Sequence, residues 1–232
     1  MKAFLTAEWR NLINITYKVP PSLLTPYLPE HTTLDVQKGS AFVSLVAFQF
    51  LNTKVKGLKI PFHVNFPEIN LRFYAKFRGE RAVCFINEFV PKYCIALVAN
   101  RIYNEPYEAY PMQILVEKDA QHIKVYHRIE KEGKTSEIWL AAKNQPFTPA
   151  EDSVEHYFKE HDLGLGKDKK GRTLNYEVKH PVWQAYPVES HYLNFDFAHF
   201  YGEQWGFLKD ETPHNIMLAE GSAIEVSPAG KV

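Results

Sequence analysis

From residue 68 to residue 78 the chain alternates without a break. Ile69, Leu71, Phe73, Ala75 and Phe77 fall on one set of positions, and Glu68, Asn70, Arg72, Tyr74, Lys76 and Arg78 on the other. A period of two puts each set on its own face of an extended strand. Residues 82–90, beyond Arg78-Gly79-Glu80, read as its hairpin partner. Residues 40–51 are apolar on both faces, which predicts a strand covered on two sides or set in a barrel wall. Residues 10–18 read as a first strand, rich in β-branched and apolar side chains, and Val19-Pro20-Pro21-Ser22 stops it. Ser22 can cap a short helix through Leu23, Leu24 and Tyr27, which Pro29 ends.

Leu58 to Pro67 reads as an irregular loop. From Lys92 to Asn104 the alternation lapses: Ile95, Val98 and Ile102 fall at helical spacing and predict a short helix. Residues 112–118, 122–131 and 134–142 form a meander, joined at Asp119-Ala120-Gln121 and Glu132-Gly133. Pro149 to His161 reads as a surface helix with Val154, Tyr157 and Phe158 as its apolar stripe. Residues 172–180 and 184–197 make two strands around Pro181, and 220–227 a last one. About ten strands with three short helices predict a mainly β chain, closed as an antiparallel barrel or a curved sheet. No repeat, low-complexity tract or linker divides residues 1–232, so a single domain is expected.

Aromatic residues make up 14% of the chain, with 16 Phe and 13 Tyr, enough rings to fill a barrel or line a pocket. Lys plus Arg and Asp plus Glu are 27 each. The basic cluster Lys167-Asp168-Lys169-Lys170 with Arg172 is broken by an acid and reads as a solvated turn, so nucleic acid is not an expected partner. No run of about 18 apolar residues predicts a membrane-spanning helix, and no membrane partner is expected. Met1 to Arg10 lacks the basic and apolar regions of a signal peptide. Cys84 and Cys94 sit in apolar surroundings and read as buried, reduced thiols, which suits a cytoplasmic location.

No nucleophile elbow, phosphate loop or paired CxxC is present, and the ten histidines show no metal spacing, so neither metal nor cofactor is expected. Three polar groups stand out. Arg10 heads an apolar strand and needs a partner, either a structural carboxylate or a ligand's. Glu68, Asn70, Arg72 and Tyr74 are either the wet face of an open sheet or the lining of a barrel. In a barrel Arg72 would hold Glu68 ionised as a general base. Asn100 to Tyr107, with Arg101, Tyr103 and Tyr107, is either a pocket rim or a hydrogen-bonded turn.

Several motifs resemble the YqjF-like family of uncharacterised bacterial proteins, within the acetoacetate decarboxylase-like superfamily. They are Phe4-Leu5-Thr6-Ala7-Glu8-Trp9-Arg10, Val19-Pro20-Pro21, Tyr27-Leu28-Pro29, Phe50-Leu51-Asn52-Thr53, Asn70-Leu71-Arg72-Phe73-Tyr74, Tyr103-Asn104-Glu105-Pro106-Tyr107 and His180-Pro181-Val182-Trp183. The resemblance runs in order over nearly the whole chain. It implies a cone-shaped antiparallel β-barrel around a ligand cavity, with Arg10 like the enzyme's pocket arginine and Glu68 near an acidic pocket residue. Arg101 to Tyr107 resembles the stretch that leads into the enzyme's Pro-Lys-Lys. Here Tyr107 and Glu108 follow Pro106, so the resemblance does not imply Schiff-base decarboxylation. Lys76 and Lys92 are the candidates for a relocated lysine.

The sequence leaves three functions open. One is binding of a small organic acid or ketone, with Arg10 as clamp and Tyr74, Tyr103 and Tyr107 as walls. Another is a lyase, isomerase or hydrolase that uses Glu68 with Arg10 or Arg101. The third is a scaffold without catalysis. The sequence leaves the oligomeric state open, a homo-oligomer included.

Overall fold

The structure is a computed structural model that describes residues 3–168 and 172–231. Lys169 and Lys170 of the basic turn, and Met1 and Lys2, lie outside the described residues. The strands are β1 (Leu5–Val19), β2 (Thr32–Leu34), β3 (Ala41–Val55), β4 (Phe66–Phe77), β5 (Glu80–Val90), β6 (Tyr107–Ala109), β7 (Met112–Lys118), β8 (His122–Lys131) and β9 (Lys134–Lys143). They continue as β10 (Leu163–Lys167), β11 (Thr173–Lys179), β12 (Ala185–Tyr186), β13 (Val188–Asn194), β14 (Asn215–Val226) and β15 (Gly230–Lys231). The helices are α1 (Pro21–Leu24), α2 (Tyr93–Ile102), α3 (Val154–Lys159) and α4 (Phe197–Tyr201), with 3-10 turns at Thr25–Tyr27 and Glu203–Lys209.

The larger sheet runs β12-β14-β1-β3-β4-β5-β10-β11-β15, and β11 also pairs with β14. The hydrogen-bonded path thus returns to its start. β2 and β6 lie off that path, on β4 and β5. Two pairings depart from the antiparallel expectation: β10 and β6 each run parallel to β5. The smaller sheet, β13-β9-β8-β7, holds the predicted meander.

Alternation on β4 separates two interiors. Ile69, Leu71, Phe73 and Ala75 point outward and join Ile13, Ile15, Val43 and Leu45 in the main core. That core lies against Val125, Ile138 and Leu140 of the smaller sheet and Phe197, Phe200 and Trp205 of the α4 region. β3 is buried on both sides because its other face points into the ring, where Phe48, Phe50 and Phe66 form a second apolar cluster.

Two irregularities set which side chains enter the ring. Asn11 adopts φ of 55° and the β1–β3 register slips between Arg10 and Ile13. An extra residue in one strand reverses the alternation. Opposite it, Gly221 has φ of 77°, and a Cβ there would stand 2.0 Å from the Trp9 carbonyl oxygen. On β5 the register slips where Leu71 faces Asn87 but Arg72 faces Phe85, leaving Ile86 unpaired. Past that bulge Glu88, not Asn87, shares the inner face with Phe85.

The segment expected as a surface helix is shorter and turns inward. Ser153 caps α3 by accepting from the His156 amide at 3.1 Å, and Phe158 and Lys159 are buried. The single strand expected over 184–197 is two, because Pro187 separates β12 from β13, and they join different sheets.

Candidate functional site

The inner faces of β1, β3, β4, β5 and β11, with α2 to one side, bound a cavity of about 320 Å³. Trp9, Phe48, Phe50, Phe66 and Phe85 make most of its wall apolar. Ile60, Cys94 and Val98 line it and are themselves exposed, which marks the mouth between the 58–66 loop and α2. Farther in stand Glu68, Asn70, Arg72, Glu88, Glu105 and Tyr107.

The three glutamates are the unusual feature. Glu68 is 2% exposed, Glu88 1% and Glu105 5%. Asn70 Nδ2 donates to Glu68 Oε1 at 2.9 Å and the Tyr107 hydroxyl donates to Oε2 at 3.1 Å. The Tyr176 hydroxyl donates to Glu105. Glu88 Oε1 meets no N–H or hydroxyl donor. Its carboxyl faces those of Glu68 and Glu105, and carboxyls bond to each other only when one of them carries a proton.

Burial drives the protonation of all three, because a charge taken out of water costs more than a neutral acid. It pushes Glu68 up to about 7, against the donors Asn70 and Tyr107 and the charge of Arg72. It pushes Glu105 up to about 8, with the Glu68 charge adding to the effect. Glu88 is raised well above the carboxylate range, by burial first and then by Glu105 and Glu68. The Tyr107 and Tyr176 hydroxyls are raised too, by burial and then by the carboxylates around them, so both remain neutral donors.

β11 positions Tyr176 through the chain next to it. Gly164 on β10 pairs with Tyr176, and a Cβ there would stand 2.2 Å from its ring. Glu105 precedes Pro106 where α2 ends, and it also borders a second cavity of about 330 Å³ lined by Cys84, Asn104 and Lys167.

α3 closes the other end. The Phe158 carbonyl oxygen accepts from Arg72 Nη2 at 2.9 Å, and from Asn14 Nδ2 and the Tyr74 hydroxyl at 3.4 Å each. Tyr74 is further bound to Ser44 Oγ at 2.6 Å. Arg72 Nε is buried and has no partner.

Of the residues picked from the sequence, Glu68, Asn70, Arg72, Tyr103 and Tyr107 line the cavity. Tyr103 donates its hydroxyl to the Ser227 carbonyl at 3.1 Å. Tyr74 is buried among Ser44, Phe158 and Tyr157 instead. Arg10 does not line it. The bulge at Asn11 turns its guanidinium away, where it donates to Glu8 Oε2 at 2.8 Å and the Gly221 carbonyl at 3.2 Å. Arg101 is exposed on the last turn of α2, outside the cavity wall. Nor does Arg72 hold Glu68 ionised, since burial outweighs it.

Lys76 pairs with Asp35 at 3.0 Å, and Lys92 donates to the Phe62 carbonyl; neither lines the cavity. Lys159 is buried but paired with Glu160. Among the described residues no lysine forms the cavity wall.

Glu88, Tyr176 and Trp9 are not among the site residues read from the sequence, and Glu105 enters there only within the 100–107 segment. Glu88 could have been found only by placing the bulge. Glu105 had a signal, an acid locked before a proline at a helix end.

A model of the DUF2071 family, described as an uncharacterized conserved protein, matches residues 6–223. The chain is similar to the uncharacterized protein YqjF of Bacillus subtilis (strain 168), 26% identical over 183 residues, 78% of this chain and 75% of that one. Its fold is similar to a crystal structure of acetoacetate decarboxylase from Legionella pneumophila, with TM-score 0.69 and 12% identity over 98% of this chain and 86% of that one. It is also similar to the enduracididine biosynthesis enzyme MppR complexed with pyruvate, with TM-score 0.66 and 10% identity over 100% of this chain and 91% of that one. An acetoacetate decarboxylase-like enzyme from Sphingomonas wittichii RW1 gives 0.67 and 11%, over 100% and 94%.

Proposed function

Because the chain belongs to the DUF2071 family and has the acetoacetate decarboxylase-like fold, we propose that it binds a small carbonyl compound in the ring cavity. The acyl or alkyl part would lie against the aromatic wall and the carbonyl oxygen among the carboxyls. The observation that carries this is the cluster of Glu68, Glu88 and Glu105, which burial keeps wholly or partly protonated near neutral pH. A protonated carboxyl donates, and a ketone or acid carbonyl accepts. Arg72, with Nε unspent, is the guanidinium on the wall and takes the anion-clamp role first given to Arg10. The pyruvate held by one fold-mate supports a carbonyl ligand of that size.

Schiff-base chemistry finds no support here, since the described wall has no lysine amine to attack a carbonyl. A second reading is favoured by Glu68 lying near 7, where a carboxyl both takes and gives a proton. Ionised Glu68 would remove a proton from the carbon next to the bound carbonyl. The negative charge would then rest on the oxygen facing protonated Glu88, and the return of the proton would complete an isomerisation or exchange.

Thermal-shift and calorimetric titration with short ketones and 2-oxo acids test binding. Hits that weaken on Glu68→Gln or Arg72→Ala are expected, and a complete lack of hits rejects the proposal. Borohydride with a bound keto acid should leave no covalent adduct; a stable one reinstates an imine. Deuterium uptake at the adjacent carbon, lost in Glu68→Gln, moves the protein from binder to enzyme.

A further inference from the structure

The mouth of the cavity opens through an apolar patch. Of the thirteen large apolar side chains exposed among the described residues, six lie in two short segments beside it: Leu58, Ile60, Phe62, Tyr93, Leu97 and Val98. Phe62 is 85% exposed. Ile60 and Val98 belong both to this surface and to the cavity wall, so the apolar lining runs out onto the face of the molecule. Lys92, at the start of α2, donates to the Phe62 carbonyl and ties the two segments together. Apolar side chains scattered singly are ordinary on a protein surface, whereas a patch continuous with a cavity marks a contact surface.

The two segments that carry the patch hold basic residues and no acid. Between Asn52 and Pro67 the chain has Lys54, Lys56 and Lys59 and no acid; between Pro91 and Asn104 it has Lys92 and Arg101 and no acid. Lys54, Lys56, Lys59 and Arg101 are exposed. Glu8, on the neighbouring strand, is held by Arg10 and by Asn52 Nδ2 at 2.9 Å. The chain as a whole balances 27 basic against 27 acidic residues, so this face concentrates positive charge that the rest of the molecule offsets.

We propose that this face docks on the surface of an anionic lipid bilayer, with Phe62, Leu58 and Tyr93 in the headgroup region and the cavity mouth opening toward the acyl chains. Exposed apolar side chains set among lysine and arginine are the composition of an interfacial anchor, and anionic headgroups attract such a basic surface. A second copy is the weaker occupant, since a twofold contact would set the five cations against their own image. Docked in this way, the cavity mouth faces the bilayer surface. No helix among the described residues is long and apolar enough to cross a membrane, and this mode needs none.

Flotation of the full chain with vesicles of phosphatidylcholine, alone or mixed with phosphatidylglycerol, tests it. Binding to the mixed vesicles only, lost at high salt, is expected. Each of Lys54→Glu and Lys59→Glu should weaken it by about fivefold or more, and Phe62→Glu should abolish it while the thermal melt stays unchanged. A polarity-sensitive fluorophore on exposed Cys94, with Cys84 buried, should shift toward shorter wavelength on the mixed vesicles. The proposal fails if the chain does not float with anionic vesicles, or floats undiminished in all three variants. A dimer that Phe62→Glu dissociates, without flotation, overturns it in favour of a second copy. Carbonyl binding is measured without lipid, so the two readings fail separately.

Discussion

Glu105 shows what burial of an acid does to pH dependence. Its carboxyl ionises near the ordinary carboxylate range in the unfolded chain and at about 8 in the folded one. The folded state therefore holds the extra proton, and the stability this brings is complete below the unfolded value and lost as pH rises through the folded one. The buried imidazoles work the other way: burial depresses His127 to about 3, so its contribution is lost as pH falls below its usual range. Subtracting Glu105→Gln from the native protein isolates the acid. The variant should gain on the native protein between about pH 5 and 8, by about 1.4 kcal/mol per pK unit of upward displacement, read from thermal melts. Arg10→Ala should leave carbonyl binding unchanged and cost at most about 1 kcal/mol, because its pair with Glu8 is a third exposed on both sides. These two residues also show the limit of reading faces from a sequence. Glu68, Asn70 and Arg72 were placed because β4 alternates without interruption. The bulge on β1 leaves Arg10 outside the cavity, on its structural partner Glu8, and the bulge on β5 brings Glu88 inside, each against a simple count of alternate positions. Nothing in the local composition announces a bulge whose reason is the strand across from it.

Helix α3 is the clearest case at the level of the element. Its stripe of Val154, Tyr157 and Phe158 is amphipathic, and amphipathy alone says only that one side is buried. The side chain that matters is Phe158, 2% exposed, packed on Phe42 and Tyr74 within the ring. Phe158→Ala should cost about 3–5 kcal/mol, measured by urea unfolding, more than a surface helix would lose. β10 was invisible in the sequence because Leu163-Gly164-Leu165-Gly166 has no polar positions to alternate with and carries two poor strand formers. Its glycine is needed, since Gly164→Ala drives a methyl into the Tyr176 ring. That variant should lose about 1–3 kcal/mol and shift the pH dependence that Glu105 confers, as the Tyr176 donor moves off. The β3–β4–β5 and β7–β8–β9 units were legible, since their strands are local and the β4–β5 and β8–β9 turns carry Gly79 and Gly133.

Across the whole molecule the ring is not equally strong at every seam. β1 and β14 pair over most of their length, whereas β10 meets β5 through Gly164↔Val83 and Leu165↔Cys84 alone and β11 meets β14 through Val178↔Val226 and Lys179↔Glu225 alone. Amides of 163–167 should therefore exchange with deuterium well before those of β3 and β4, as followed by mass spectrometry of peptides. The two narrow seams also order assembly in time. The strands from β1 to β5 are built by residues 5–90, and the chain that closes them arrives only with residues 163–226. Until those residues are made, Glu68 and Glu88 have no enclosure around them, and the cavity is completed late. A ligand has nowhere to lodge before that moment. It can lengthen the lifetime of the finished fold and leave the rate of reaching it untouched.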